Sequence, residues 1–189
     1  MTRQIGLTRG PLAPGSAHIC VDMQHLAFDG TPRHRGCVAR ALPAAEALAL
    51  AWPARTIFTR QAPQASNQGR GANLQVPPSA TELPTRLARL LPTAMVLDKD
   101  MPSPWQSPAL EERLRTARVD TLIFSGAEMD EGMLATLRGA VDRGYRVILA
   151  VDALGGTEEE LKDRFLDAEP AYAERVELST IAEILRHWH

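Results

Sequence analysis

Short apolar runs alternate along the chain with longer segments whose apolar positions recur every three to four residues. Residues 17–23 (AHICVDM) form a β-branched apolar run that closes on Asp22 and predicts a first strand. Residues 43–52 (PAAEALALAW) predict a helix. Pro43 fits its first turn, where a missing N–H has no helical partner to lose. Residues 55–59 (RTIFT) predict a second strand, and a Gln/Asn/Gly/Pro-rich stretch from Gln61 to about Ala80 predicts a long loop, a length often kept for function. Residues 81–91 (TELPTRLARLL) predict a short helix, and 94–97 (AMVL) a third strand followed by Asp98, Lys99 and Asp100.

The second half repeats the alternation more sharply. Ser107 as N-cap and Pro108 in the first turn open the helix ALEERLRTA. Residues 120–125 (DTLIFS) predict a strand buried on both faces, 131–143 a helix closed by Gly144, and 146–151 (RVILAV) a fifth strand. Thr157 with Glu160 reads as a capping box, 175–178 (RVEL) as a sixth strand, and Thr180 with Glu183 as a second box opening a helix to about His187. This order predicts a three-layer α/β/α fold around a central, mostly parallel six-stranded sheet. Ligands of such sheets bind beyond the carboxyl ends of the strands. Asp22 after strand one, Lys99 after strand three and the Ser125–Gly132 turn after strand four are therefore the positions to weigh.

Composition narrows the class. A chain of 189 residues, 44% hydrophobic and 23% charged, suits one soluble domain over residues 1–189, with 1–15 expected to be a flexible N-terminal segment. The net charge is -2 without a basic stripe, so no nucleic-acid partner is expected. No apolar run approaches the ~18 residues that span a bilayer, so no membrane association is expected. MTRQIGLTRGPLAPGSAH lacks the apolar core of a secretory signal, and Cys20 and Cys37 read as reduced thiols, so the expected location is cytoplasmic. The GxGxxG, phosphate-loop, HExxH and GxSxG patterns are all missing, and no His/Asp cluster has metal-ligand spacing. No metal or cofactor is expected, and the terminal HWH reads as a solvated tail.

The strand ends resemble a family. VDMQ at 21–24 resembles the first-strand signature of the isochorismatase-like (cysteine hydrolase) superfamily. SGAEMDEGMLATLRGAVDRGYRVILAVDAL at 125–154 resembles its longest signature. Lys99 stands where that family places a lysine, before a serine- and aromatic-containing turn, here SPWQS. The likeness runs from about Ala17 to about Leu154 and implies the isochorismatase-like arrangement. In cysteine-using members the site is an Asp, a Lys and a nucleophilic Cys. Asp22 and Lys99 match the first two, and the third position is Gly132, which has no side chain to attack a carbonyl. The metal-binding histidines of nicotinamidases have no counterpart in FTRQAPQASNQ at 58–68. Isochorismatases also carry Gly at that position. They hydrolyse a vinyl ether, release pyruvate and need a proton donor. FTRQAP with Arg70-Gly71 resembles their Thr-x-Gln and Arg-Gly pattern and matches Gln61 to a substrate-orienting glutamine. The helix after Gly132 is closer to the cysteine-hydrolase branch, and the isochorismatase aromatics after Arg-Gly and Arg-Tyr after the lysine are missing. The resemblance further implies a homo-oligomer, dimer or tetramer, and a non-proline cis peptide at Ala127–Glu128, a conformation costing ~3–4 kcal/mol.

Each candidate has an ordinary reading beside the functional one. Asp22 is a turn residue or a general acid/base. Lys99 is a surface lysine or a cation that orients Asp22 and an anionic substrate group. Gly132 is a loop glycine or the helix start whose N–H groups hold an oxyanion. Gln24 and Gln61 are solvated or orient a polar substrate. Phe28, Trp105 and Met133 are core or pocket wall, and Ala127 and Glu128 form the turn against the substrate. Asp152 reads as a structural turn residue and Cys20 as core. Cys37 lies in RHRGC beside Arg33, His34 and Arg35, cations that can lower a thiol pKa. Three readings follow: a hydrolase of a small metabolite with Asp22 as acid or base, a non-catalytic relative binding a small ligand or partner, and an amide hydrolase using Cys37 as a displaced thiol.

Overall fold

The computed structural model describes residues 4–29, 31–61 and 78–188. Among them six strands form one sheet, parallel throughout, in the order β3-β2-β1-β4-β5-β6. The strands are β1 (Ser16–Val21), β2 (Thr56–Gln61), β3 (Met95–Lys99), β4 (Thr121–Gly126), β5 (Arg146–Leu154) and β6 (Val176–Ser179). The helices are α1 (Pro32–Ala51), α2 (Thr85–Ala88), α3 (Pro108–Thr116), α4 (Glu131–Asp142), α5 (Glu158–Leu161, continued by a π turn at Lys162–Leu166), α6 (Pro170–Ala173) and α7 (Ile181–His187). Period-two alternation sorts the strand side chains onto two faces. Ile19, Ile57, Phe124 and Leu149 pack with Leu110, Leu137 and Phe165 under α3 to α6. Cys20, Phe58, Ile123 and Ile148 pack with Val38, Leu48, Leu87 and Ile184 under α1, α2 and α7.

The strand order reverses between β1 and β4. A crevice at such a switch point lies beyond the carboxyl ends of those two strands. Asp22 follows β1 there, and the turn to α4 follows β4.

Several elements differ from the sequence pattern. The first helix starts at Pro32, with Thr31 accepting from the His34 N–H at 3.2 Å, and Pro43 lies inside it. Thr-Pro at 31–32 is an equally good start signal, and burial of Val38, Ala41, Ala45 and Leu48 carries the helix through the proline. The helix expected over 81–91 shrinks to α2, because Pro84 holds its N-cap. Ser107 caps α3 by backbone position without a side-chain hydrogen bond. The Thr157–Glu160 box is reciprocal. At Thr180 only the Glu183 N–H bond forms, since the Glu183 carboxylate turns to Arg186 and His187.

Residues 5–11 and Trp188 are tied to the body of the fold. β6 is an edge strand, and its open backbone groups recruit a neighbour. Ile5 bridges to Leu178, and the Gly6 N–H donates to the Leu178 carbonyl at 2.7 Å. The buried Glu177 carboxylate accepts from Thr8, from the Arg9 N–H and from Arg146, whose guanidinium also reaches the Gly10 and Pro11 carbonyls. At the other end Trp188 is buried and stacks on Trp52, with ring centroids 4.0 Å apart.

Candidate active site

The site is built from the ends of three adjacent strands. On β2 and β3 the alternation that turns Ile57 and Leu97 into the α3–α4 core also turns Thr59 and Lys99 to that face, at the carboxyl edge. On β1 the same count would send residue 22 to the opposite face, with His18 and Cys20. Asp22 instead takes a left-handed backbone, φ 51°. That conformation is uncommon outside glycine, and Asp is among the residues that tolerate it. It swings the carboxylate across the sheet edge toward Thr59 and Lys99.

The resulting contacts are close. Lys99 Nζ lies 2.7 Å from Asp22 Oδ2, with the lysine side chain 2% and the aspartate side chain 16% exposed. Lys99 Nζ also donates to the Pro102 carbonyl at 3.0 Å. The Thr59 hydroxyl donates to Asp22 Oδ1 at 2.9 Å, and the Asp22 N–H donates to the Thr59 carbonyl at 3.2 Å and to Thr59 Oγ1 at 3.3 Å. Burial pushes the Asp22 carboxyl above the ordinary carboxylate range, against the pull of the Lys99 ammonium and the Thr59 hydroxyl; the Asp130 carboxylate adds to the push.

Gly132 closes the group. Asp130 is the N-cap of α4, accepting from the Met133 N–H at 3.0 Å, which sets the helix start over the sheet edge. A side chain at 132 would begin 3.1 Å from Asp22 Oδ2, 3.2 Å from Asp130 Oδ1 and 3.6 Å from Lys99 Nζ. Those distances are tight for a carbon, so the glycine packs directly against two carboxylates and an ammonium. The structure brings Asp22, Lys99 and Gly132 together. Thr59 and Asp130 complete the group, and the sequence reading did not single them out. Thr59 reads as an ordinary strand threonine until the β1–β2 register sets it beside Asp22.

Other candidates take different places. Gln24 is buried, and its amide is fully engaged by backbone: Nε2 donates to the Thr81 carbonyl at 2.6 Å and the Gln61 carbonyl at 3.3 Å, while Oε1 accepts from the Gln61 N–H at 3.0 Å. It ties the end of β2 to the 78–81 turn, and Gln61 meets it through backbone groups. Trp105 lies over α4, its Nε1 donating to the Thr136 carbonyl at 2.8 Å and its ring stacked on Tyr145 and faced by the Arg143 guanidinium. Its ring covers Gly139, where any side chain would collide with it. Met133 is core, and Phe28 is half-buried against the α1 face. Ala127 is buried and donates its N–H to the Val21 carbonyl at 3.1 Å. Glu128 stands at the surface, 3.2 Å from His34 Nε2, and burial raises its pKa against the pull of His34.

The Ala127–Glu128 peptide is trans; the cis bond among the described residues is Leu91–Pro92. Val21 and Asp130 already hold this turn through backbone and cap bonds, and a trans bond is the cheaper form. Asp152 accepts the Ile181 N–H at the start of α7, a structural role. Cys20 is sealed in β1, where burial pushes its thiol up to about 12. Cys37 is buried in the second turn of α1 and makes none of the contacts around Asp22. Arg70 and Gly71 lie outside the described residues. Among the described residues no three His, Cys, Asp or Glu side chains converge as metal ligands, and no helix is long and apolar enough to cross a membrane.

A family model of the isochorismatase domain matches residues 16–176. The chain belongs to the isochorismatase family. Comparison with curated proteins finds no match. Among solved structures, the cysteine hydrolase from Pseudomonas syringae pv. phaseolicola is 22% identical, with a TM-score of 0.69 and coverage of 99% of this chain and 98% of that one. The isochorismatase-like hydrolase from Alkaliphilus metalliredigens is 17% identical, with a TM-score of 0.72 over 92% and 99% of the two chains. N-carbamoylsarcosine amidase from Thermoplasma acidophilum is 19% identical, with a TM-score of 0.68 over 89% and 98%. At these identities the likeness is one of fold. In this chain the first turn of α4, with Gly132, lies beside Asp22.

Proposed function

We propose that this isochorismatase-family protein is a hydrolase that works without a cysteine nucleophile, on a small anionic vinyl ether. The observation that carries the reading is the Asp22 carboxyl, held between Lys99 and Thr59 beside Gly132. Its raised pKa favours the protonated form, the state a general acid needs. Asp22 gives its proton to the terminal vinyl carbon, and the double-bond pair forms the new C–H bond. Water adds to the resulting oxocarbenium carbon, a proton returns to Asp22 or solvent, and the hemiketal collapses to pyruvate and an alcohol. Lys99 stabilises the carboxylate left on Asp22, and the N–H groups that open α4 face the substrate's anionic end. We take the enzyme to be cytoplasmic and a dimer or tetramer of identical chains.

Pyruvate release from isochorismate, with wild type, Asp22→Asn and Cys37→Ser side by side, tests the reading. Wild type and Cys37→Ser turn over alike, and Asp22→Asn loses 100-fold or more, on the order of what a positioned acid contributes. A second reading, a ligand-binding relative without turnover, draws on Gln24, Trp105 and Met133, whose side chains serve the protein's own packing and backbone. Tight binding of a vinyl ether with no pyruvate release would support it. The third reading, thiol chemistry at Cys37, requires thiol alkylation to abolish activity.

A further inference from the structure

Lys99 is buried, and among the described residues its ammonium has two acceptors. One is Asp22 Oδ2 at 2.7 Å, and the other is the Pro102 carbonyl at 3.0 Å. An ammonium on a flexible four-carbon stem has no direction of its own, so its acceptors must be held in place. Thr59 holds Asp22. The residues that follow Pro102 hold its carbonyl. Pro102-Ser103-Pro104-Trp105 is a stiff link. Proline fixes φ at 102 and 104, and Pro104 confines Ser103 to the extended region, where it lies at φ -89° and ψ 127°. The Trp105 N–H donates to Ser103 Oγ at 3.4 Å, and the Ser107 N–H closes the turn on the Pro104 carbonyl at 3.1 Å. Few free torsions remain between the Pro102 carbonyl and the Trp105 ring. That ring is anchored to α4. Its Nε1 donates to the Thr136 carbonyl at 2.8 Å, and its face lies on Gly139, where a Cβ would overlap it. The first turn of the same helix sets Asp130 and Gly132 beside Asp22.

We infer that Trp105 is a positioning residue: through the stiff 102–105 link it holds the Pro102 carbonyl on the Lys99 ammonium and so keeps that ammonium aimed at Asp22. The inference rests on the reading of Asp22 and Lys99 as the working pair. In that reading Lys99 stabilises the carboxylate that proton transfer leaves on Asp22, and an ammonium free to turn away does so less well. Gly139 belongs to the same device. Its missing side chain lets the ring lie flat on α4, which fixes the loop after β3 to the helix that borders Asp22. Tyr145, stacked on the ring at 5.8 Å, and the Arg143 guanidinium, 4.6 Å from its centroid, close its other sides.

NMR of the lysine ammonium groups tests this without any substrate. The chain has two lysines, the buried Lys99 and the exposed Lys162, so a protein labelled with 15N-lysine gives one protected ammonium signal beside an exposed reference. Two variants loosen the anchor from different elements. Trp105→Phe keeps an aromatic ring and removes the Nε1–H, and Gly139→Ala pushes the ring off α4. In both, the Lys99 ammonium protons should exchange with solvent roughly tenfold faster or more, the scale of one lost hydrogen bond to a charged group. Trp188→Phe, which weakens the stack on Trp52 in the other core, should leave that exchange as in wild type. Unchanged exchange in Trp105→Phe and Gly139→Ala overturns the inference. Equal acceleration in Trp188→Phe overturns it too, since the effect is then general loosening. Absence of vinyl-ether turnover in wild type would defeat the functional reading and leave the exchange result standing. Unchanged exchange would defeat this inference while turnover persists.

Discussion

The acid form of Asp22 is what the proposed chemistry consumes, and its lifetime is set by opposed effects. Burial and Asp130 favour the neutral carboxyl; Lys99 and Thr59 favour the ion. The folded pKa lies above the unfolded one, so the protonated form is complete below that value and is lost as pH rises through it. The pH–rate profile of pyruvate release should therefore fall on its alkaline side, and Lys99→Met should shift that fall to higher pH while weakening binding of the anionic substrate. Gly132 offers a sharper test. Its replacement by alanine puts a methyl 3.1 Å from Asp22 Oδ2 and crowds that carboxylate. Alanine favours a helix over glycine by ~1 kcal/mol, which offsets the crowding. Gly132→Ala should keep its melting temperature within a few degrees of wild type while losing on the order of 100-fold in kcat/KM, the scale of a small misplacement at a reacting centre.

At the scale of elements, β1 does two jobs. Its end delivers Asp22, and its centre carries a buried polar link across the sheet. His18 meets Ser125 of β4 through Nε2 at 2.7 Å and Thr56 of β2 through Nδ1 at 3.3 Å. Burial lowers the His18 pKa to about 3 from 6.5. The folded value is depressed, so the neutral ring's stability contribution is full above 6.5 and is lost as pH falls toward 3. Unfolding free energy from urea titrations should drop between pH 7 and 4, and His18→Asn should flatten that drop. The polar link was not legible from sequence, where His18 reads as one residue of an apolar strand. The strands themselves were legible, because runs such as AHICV and RVILA have no other comfortable place than a sheet buried on both faces. Helix starts were less so: Pro43 and Pro32 both fit a first turn, and only packing of Val38 and Ala41 decides between them.

At the scale of the whole molecule, the order β3-β2-β1-β4-β5-β6 decides which strand ends meet. Nothing in a single sequence orders the strands; the resemblance carried by VDMQ, Lys99 and the 125–154 segment implied the isochorismatase-like arrangement, and the structure sets Asp22, Lys99 and Gly132 side by side. Side-chain direction was not legible at the same level. Gln24, Trp105 and Met133 sit near the right strand ends yet point into backbone and core. The sheet's far edge is closed by the N-terminal strap on Glu177. Burial pushes that carboxyl up, but Arg146, the Arg9 N–H and Thr8 more than offset it and hold Glu177 below the ordinary range. Glu177→Ala leaves Arg146 without its buried partner and should cost about 3 kcal/mol in chemical denaturation. It should also expose the first dozen residues to limited proteolysis.

In the proposed reaction Asp22 delivers a proton to carbon, and no covalent enzyme intermediate is needed. Pyruvate formed from isochorismate in D2O, followed by proton NMR, tests it most directly. Wild type and Cys37→Ser should give pyruvate with a singly deuterated methyl group, and Asp22→Asn should form it at least about 100-fold more slowly. No pyruvate from wild type, or pyruvate formed equally fast by Asp22→Asn, would contradict it.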